Sequence, residues 1–168
     1  MPYHGRIVPL ALPTECGTHA ARWQLISQAP WSLLGVPVYQ LRLWAAGGFD
    51  PSDYINRPFV LAIDFERELD GPGLAEHFLA DMRRAGRFSE AQAQHWLTQL
   101  QAVFALVKAH DRVSAEHDGR GEVRFCHNGA LMRTMQDADF ARLFLGLCLS
   151  AHAAQPPLPA QRVSQVLA

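Results

Sequence analysis

Eight histidines are the first residues in this sequence whose type could support acid–base chemistry or metal binding. His77 and Asp81 are spaced i, i+4, which brings both side chains to one side of a helix and is compatible with metal ligation. No second histidine or cysteine pair accompanies them, so the spacing favours two residues on the exposed side of a helix, and we predict no metal site. Cys126 and His127 are adjacent on a predicted strand, so their side chains point to opposite faces and cannot form one site.

The motifs of serine hydrolases and of phosphate-binding enzymes are missing. No Gly-x-Ser-x-Gly turn occurs, and the glycines at 119–121 belong to a predicted hairpin turn instead of a strand–helix junction. Cys148 lies in an apolar helical run, where a buried, inert thiol is the commoner role. Arg83, Arg84 and Arg87 are interpreted as a solvated helix end that the helix dipole favours. No cofactor is predicted.

Tyr39 is the polar residue that we single out, because it falls on the apolar face of its predicted strand. A buried phenol needs a hydrogen-bond partner. Two interpretations stay open: a backbone carbonyl satisfies the hydroxyl, or the hydroxyl donates to a ligand oxygen in a cleft between sheet and helices.

Composition favours a single folded domain. The chain has 168 residues, of which 49% are hydrophobic and 18% charged, so it can build a core and does not have the composition of a disordered protein. A net charge of −1 gives no general attraction to nucleic acid or anionic lipid. We therefore predict no nucleic-acid partner.

Cysteine usage and hydropathy predict a soluble protein of a reducing compartment. Three cysteines without a CxxC pair support neither a disulfide scaffold nor a structural zinc site. The N-terminal apolar run at 7–12 is interrupted by Pro9, so we expect no signal peptide. No stretch of apolar residues is long enough for a membrane span. The predicted location is the cytoplasm, or the periplasm if the true start lies upstream.

The hydrophobic periodicity predicts an α+β fold, in which an antiparallel sheet carries helices on one face. Residues 1–22 show no periodicity and are interpreted as a loose N-terminal arm before a domain at 23–168. A proline-rich tail with a short helix is predicted after residue 155. The predicted elements are strands at 38–44, 59–67, 113–117, 122–127 and 130–135, and helices that begin near Asp70, Ser89 and Asp137.

Several short motifs follow one another along the chain: Gly35-Val36-Pro37-Val38-Tyr39, Leu43-Trp44, His110-Asp111-Arg112, Phe125 with Asn128-Gly129, Asp139-Phe140-Ala141-Arg142 and Leu145-Gly146-Leu147. In this order they resemble the motifs of bacterial chalcone isomerase-like proteins over about residues 23–168. The resemblance implies an open-faced β-sandwich with a helical layer over one large antiparallel sheet, which agrees with the fold class predicted from periodicity.

The resemblance does not extend to the residues with which the plant isomerases act. Those enzymes cyclise a chalcone through its phenolate, which needs a cationic cleft and hydrogen bonds to the ketone. Without the family's arginine and lysine, and with Asp81 facing the site, a phenolate would meet net repulsion. We therefore predict that chalcone isomerase activity is absent. The six aligned positions, none of which keeps the family residue, are Ser27, Tyr39, Leu74, His77, Asp81 and Leu147.

Non-catalytic plant relatives of this fold bind fatty acids and hold the carboxylate with an arginine and a tyrosine. Tyr39 aligns with that tyrosine, whereas the arginine is missing. The resemblance thus implies a binder of a fatty acid or another small apolar ligand, with Tyr39 as the polar anchor. A protonated His77 would replace the missing cation beside Asp81. The predicted walls of the site are Leu41, Leu74, Phe78 and Leu147.

Two alternatives from other classes stay open. The first is an isomerase or intramolecular lyase that uses His77 as an acid–base group together with Tyr39. The second is a non-catalytic interaction module whose cleft is filled by Tyr39, Phe78 and Met82.

Overall fold

A computed structural model describes residues 23–153, which form one six-stranded antiparallel sheet with its strands in chain order. This confirms the predicted α+β fold. The predicted N-terminal arm and the proline-rich tail lie outside the described residues, so the domain boundary stays a prediction. The elements are β1 Gln24–Leu33, β2 Val36–Ala45, a 3₁₀ helix Pro51–Asn56, β3 Pro58–Phe65, α1 Gly71–Ala85, α2 Glu90–Val103, β4 Arg112–Asp118, β5 Glu122–His127, β6 Ala130–Gln136 and α3 Ala138–Ala153.

Strand β1 is the element that periodicity does not predict. It is an edge strand that contains Pro30 and two register shifts against β2, and these irregularities break the alternation of its side chains. The turn to β2 is formed by Leu34 and Gly35, whose φ angles are 51° and 79°. Two positive φ angles are typical of a type I′ hairpin turn, for which Asn-Gly is the usual signal. Leu34 does not give that signal, so the hairpin is not evident from the sequence.

The alternation predicted for β2 and β3 is confirmed, and it separates the two faces of the sheet. Tyr39 and Leu41 point into the core on the helix side, together with Phe59 and Ile63 from β3. The three helices complete this core, in which Phe78 of α1 lies 5.4 Å from the ring of Phe144 of α3. Area buried in this way is the main source of stability.

The helices begin where the sequence predicts, with one difference in the cap of α1, whereas α2 ends at Val103, short of the predicted stripe that continues to Val107. Ser89 and Gln92 form the predicted capping box of α2, with bonds of 2.8 Å and 3.1 Å. Asp137 accepts the Phe140 N–H at 3.1 Å and caps α3. Asp70 occupies the N-cap of α1, but its side chain makes no capping hydrogen bond. None of the helices within residues 23–153 is long and apolar enough to cross a membrane.

The sheet face opposite the helices carries a charged cluster. Asp64 on β3 binds Arg42 on β2 and Arg112 on β4, the latter with a bond of 2.6 Å from the guanidinium Nε. The three side chains are only 11–13% exposed. The sequence predicts that Asp64 points outward, and the structure adds that its carboxylate lies between two arginines.

Cys126 on β5 is disulfide-bonded, contrary to the expectation of reduced cysteines. Its partner is not Cys148, which is free and buried in α3. Disulfides persist mainly in oxidising compartments, so this bond is at odds with the predicted reducing compartment. A disulfide in a chain with only three cysteines leaves no spacing motif, so counting cysteines could not reveal it.

Differential alkylation provides a direct test of this bond. In denaturant without reductant, we expect iodoacetamide to modify Cys148 and to leave Cys126 unmodified. After reduction, Cys126 should also be modified, and peptide mass spectrometry of the unreduced digest should identify its partner. Modification of Cys126 before reduction, in protein exported to an oxidising compartment, would contradict the disulfide.

Candidate functional site

The 3₁₀ helix after β2 is held against α3 and forms one wall of a surface groove. The Tyr54 hydroxyl donates a hydrogen bond of 2.7 Å to the Arg142 carbonyl oxygen. A Cβ atom at Gly146 would lie 2.7 Å from that hydroxyl, so α3 needs glycine at this point of close approach. The buried His117 ring lies 3.0 Å from the Ile55 carbonyl oxygen and anchors the end of the 3₁₀ helix to β4. The long connection between β2 and β3 thus packs against α3.

This groove, which we call the α1–α3 groove, has a volume of about 770 Å³ and lies between the 3₁₀ helix, the C-terminal half of α1 and α3. Two of the seven predicted site residues, Asp81 and Leu147, line it. Its other charged side chains are Arg84 and Arg142. The apolar side chains of the groove are Ala85, Leu143, Leu147 and Leu149.

Tyr39 lies deeper, where β2 faces α1 and α3. Its ring stacks on Trp31 with centroids 4.9 Å apart, and the side chain is 6% exposed. Burial raises the pKa of Tyr39, and the negative charge of Asp81 raises it further. The phenol is therefore a neutral hydrogen-bond donor.

His77 is buried, so the prediction that it lies on the exposed side of its helix is wrong. Only 7% of it is exposed, because Trp31 from the unpredicted strand β1 lies beside it, with ring centroids 6.4 Å apart. Its Nε2 lies 3.2 Å from Asp81 Oδ2, and Asp81 Oδ1 accepts a bond of 3.0 Å from Arg84. Asp81 is 21% exposed and thus stands between the Tyr39 cluster and the groove.

The predicted walls Leu41, Leu74 and Phe78 lie in the packed core. Phe78 stacks on Phe104 with ring centroids 5.4 Å apart, so its ring is part of the aromatic core. These three side chains do not line the α1–α3 groove. Their role as ligand contacts stays a prediction that would require the core to open beside Tyr39.

Sequence reasoning missed the arginines of the groove. Arg84 is interpreted above as part of a solvated helix end, and Arg142 appears only within a family motif. The groove that these two arginines line exists because the 3₁₀ helix packs against α3, and no local sequence pattern predicts that packing. The prediction for Cys148 agrees with its surroundings, because burial raises the pKa of its thiol to about 12. Within the described part of the chain, no group of three or more His, Cys, Asp or Glu residues could hold a metal ion.

Comparison with known proteins supports the fold alone. No protein-family model matches the sequence, and no curated protein matches it significantly. Among solved structures, the chain is similar to a fatty-acid binding protein of Arabidopsis thaliana, with a TM-score of 0.60 and 11% sequence identity. The match covers 86% of this chain and 86% of that one. At this identity the likeness shows the fold alone. The chain therefore has the chalcone isomerase-like α+β fold that this plant protein shares.

Proposed function

We propose that this protein binds a fatty acid or another small apolar ligand in the α1–α3 groove, with the inner end of the ligand at Tyr39. The observation that carries the proposal is the groove itself, whose volume of about 770 Å³ is in the range of small-molecule sites. Asp81 lines the groove and contacts His77, whose ring lies beside Trp31, the residue that stacks on Tyr39. The plant protein of the same fold, which is named for fatty-acid binding, is consistent with this proposal.

The Tyr39 hydroxyl supplies the polar contact in this proposal. A buried phenol needs a hydrogen-bond partner, and in this proposal a ligand oxygen provides it. Because the phenol stays neutral, it donates a hydrogen bond to an oxygen and does not add a charge to the apolar site. The ring is held in place by its stacking on Trp31, so the donor is oriented before a ligand arrives.

Chalcone isomerase activity remains predicted to be absent. Asp81, whose carboxylate lies 3.2 Å from His77, places a negative charge where the plant enzymes accommodate a phenolate. The same His77–Asp81 contact favours the second candidate function, an isomerase or intramolecular lyase in which His77 transfers a proton and Asp81 orients its ring. A pH–rate profile governed by one group near neutrality, and lost in His77→Gln, would select that function over binding alone.

We further propose that the protein works in an oxidising compartment such as the periplasm. The support is the disulfide bond of Cys126, since thiols are kept reduced in the cytosol. Fractionation of the native host, with the protein located by antibody, tests this assignment.

Replacing Tyr39 by phenylalanine tests the binding function. We expect the purified wild-type protein to release a stoichiometric acyl or aromatic compound into organic solvent, identified by mass spectrometry. Loss of one neutral hydrogen bond weakens binding about 5- to 10-fold, so the Tyr39→Phe protein should retain much less of the compound. Its thermal stability should change little, because phenylalanine keeps the ring and its stacking on Trp31.

Tyr54→Phe shows the stability cost of losing a bonded tyrosine hydroxyl, since its hydroxyl is bonded to the Arg142 carbonyl oxygen. It should lower the free energy of unfolding by about 1 kcal/mol, and because Tyr54 lines the groove it is a control for stability and not for ligand content. Equal ligand content in the wild-type and Tyr39→Phe proteins would remove Tyr39 from the site. An empty wild-type extract, followed by no binding of any added acyl compound, would contradict the binding function.

A further inference from the structure

We propose that residues 1–22 cover the sheet face opposite the helices and are held there by a disulfide bond between Cys16 and Cys126. We call this surface the far face, and it carries the side chains of Trp44, Val60, Ser114 and Cys126. The far face lies on the other side of the sheet from the α1–α3 groove, so this inference does not depend on ligand binding.

The far face is buried, although it points away from the core that the helices complete. Trp44 on β2, Val60 on β3 and Ser114 on β4 are between 1% and 6% exposed. Each of them directly follows a residue of the helix-side core, so each points to the far face. Within residues 23–153, the three helices and the 3₁₀ helix pack against the helix-side core. Residues outside this range are therefore needed to cover the far face.

The disulfide bond of Cys126 identifies the segment that provides this cover. Cys126 directly follows the core residue Phe125 on β5 and is the register partner of Ser114, so it also lies on the far face. It is disulfide-bonded, whereas Cys148 is free. The chain has only three cysteines, which leaves Cys16 as the partner within this chain. The bond would bring residues around Cys16 onto the far face.

The length of chain between Cys16 and β1 fits a path across this face. Consecutive register partners form a row from β1 to β5: Leu25, Trp44, Val60, Glu116 and Arg124. The row spans four strand spacings, or about 19 Å, and Cys126 lies two residues further along β5, or about 7 Å. Cys16 precedes Leu25 by nine residues, which reach at most about 30 Å when extended. The segment therefore reaches Cys126 by a nearly direct path over β2, β3 and β4.

The residues after 153 fit the far face less well. They follow α3, which packs on the helix side, and they contain no cysteine that could bond Cys126. The N-terminal segment contains the apolar residues Ile7, Val8, Leu10 and Leu12, which are suited to cover Trp44 and Val60. The same segment thus provides both the cysteine and apolar side chains.

Peptide mass spectrometry of full-length protein exported to an oxidising compartment tests the bond. Its formation takes one proton and one electron from each thiol, and a disulfide of that compartment accepts them and is reduced to two thiols. We expect the unreduced tryptic digest to contain residues 7–22 linked to residues 125–133, and reduction to release both peptides. Cys126 linked to Cys126 of a second copy, or present as a free thiol, would overturn the inference.

Hydroxyl-radical footprinting tests the cover, with Trp44 as the probe and Trp96 as the internal control. Trp96 is fully buried in the helix-side core. In Cys16→Ser, the oxidation of Trp44 should rise several-fold over the wild-type protein, because the segment is no longer tethered. The oxidation of Trp96 should stay unchanged. Reduction of the wild-type protein by dithiothreitol should give the same result without a substitution.

Cys148→Ala is the matched control, since it removes the thiol that is free. It should leave both the linked peptides and the protection of Trp44 unchanged. Equal oxidation of Trp44 in the oxidised and reduced wild-type proteins would overturn the tethered cover. Organic extraction of the same preparations keeps the proposed function separate, because an empty extract would contradict ligand binding and leave this inference intact.

Discussion

Replacing Asp64 by asparagine should lower the free energy of unfolding by about 3 kcal/mol. The Asp64 carboxylate accepts hydrogen bonds from Arg42 and Arg112 on the neighbouring strands, and all three side chains are nearly buried. Asparagine keeps the shape of the side chain but removes the negative charge between two guanidinium groups. The two cations would then repel each other where water screens them poorly. Urea denaturation followed by circular dichroism measures the loss.

Asp53→Asn is the matched control for this change. Asp53 also pairs with an arginine, Arg57, at 3.4 Å, but the two side chains are 45% and 42% exposed. Exposed pairs contribute little, so we expect a change below about 0.5 kcal/mol. Equal effects of the two substitutions would mean that the Asp64 cluster is solvated and contributes no more to stability than a surface ion pair.

The Asp64 cluster shows which feature of the sheet the sequence does not predict, namely which side chains meet across neighbouring strands. Alternation in β3 correctly places Asp64 on the face away from the helices. Its partners are 22 and 48 residues away in the sequence, and they meet it only through the register of three adjacent strands. Period-2 patterns report which face a residue occupies, but they carry no information on the register between strands.

The burial of His77 is also missed because its neighbour belongs to an element that the sequence does not predict. The pattern of α1 is clear enough to predict the helix and its stripe of Leu74, Phe78 and Met82. Whether the flank of that stripe is covered depends on Trp31 of β1, an edge strand with a proline and an unusual turn residue. Because the irregular strand β1 is not predicted, His77 is wrongly placed on the exposed side of a helix that is itself predicted correctly.

Tyr39 is the part of the site for which the sequence is most informative. A phenol among inward-facing apolar residues of a regular strand is predicted to be buried, and it is. Whether a backbone group or a ligand accepts the hydrogen bond of this hydroxyl depends on the neighbours of the hydroxyl, which come from α1 and α3. The comparison of the Tyr39→Phe variant with the wild-type protein decides between these two interpretations.

Substituting alanine for Gly71 should cost about 3 kcal/mol, at the upper end of the range for overpacking. A Cβ atom there would lie 1.7 Å from the carbonyl oxygen of Phe104 and 2.7 Å from its carbonyl carbon. Both atoms are backbone, so no side chain can rotate away and the start of α1 must move from the end of α2. The bond from the Leu69 N–H to the Val107 carbonyl oxygen, 3.2 Å long, lies beside this contact and would weaken.

Gly47→Ala provides the matched control, because a Cβ atom there meets only the Gln24 side-chain nitrogen, at 3.7 Å. Its effect should stay below about 0.5 kcal/mol. The Gly71 substitution should also reduce ligand content, since α1 carries Asp81 and Arg84 to the groove. Thermal unfolding and organic extraction of the same preparations separate the two effects. A Gly71→Ala protein as stable as the Gly47→Ala protein would show that α1 and α2 do not meet as closely as described.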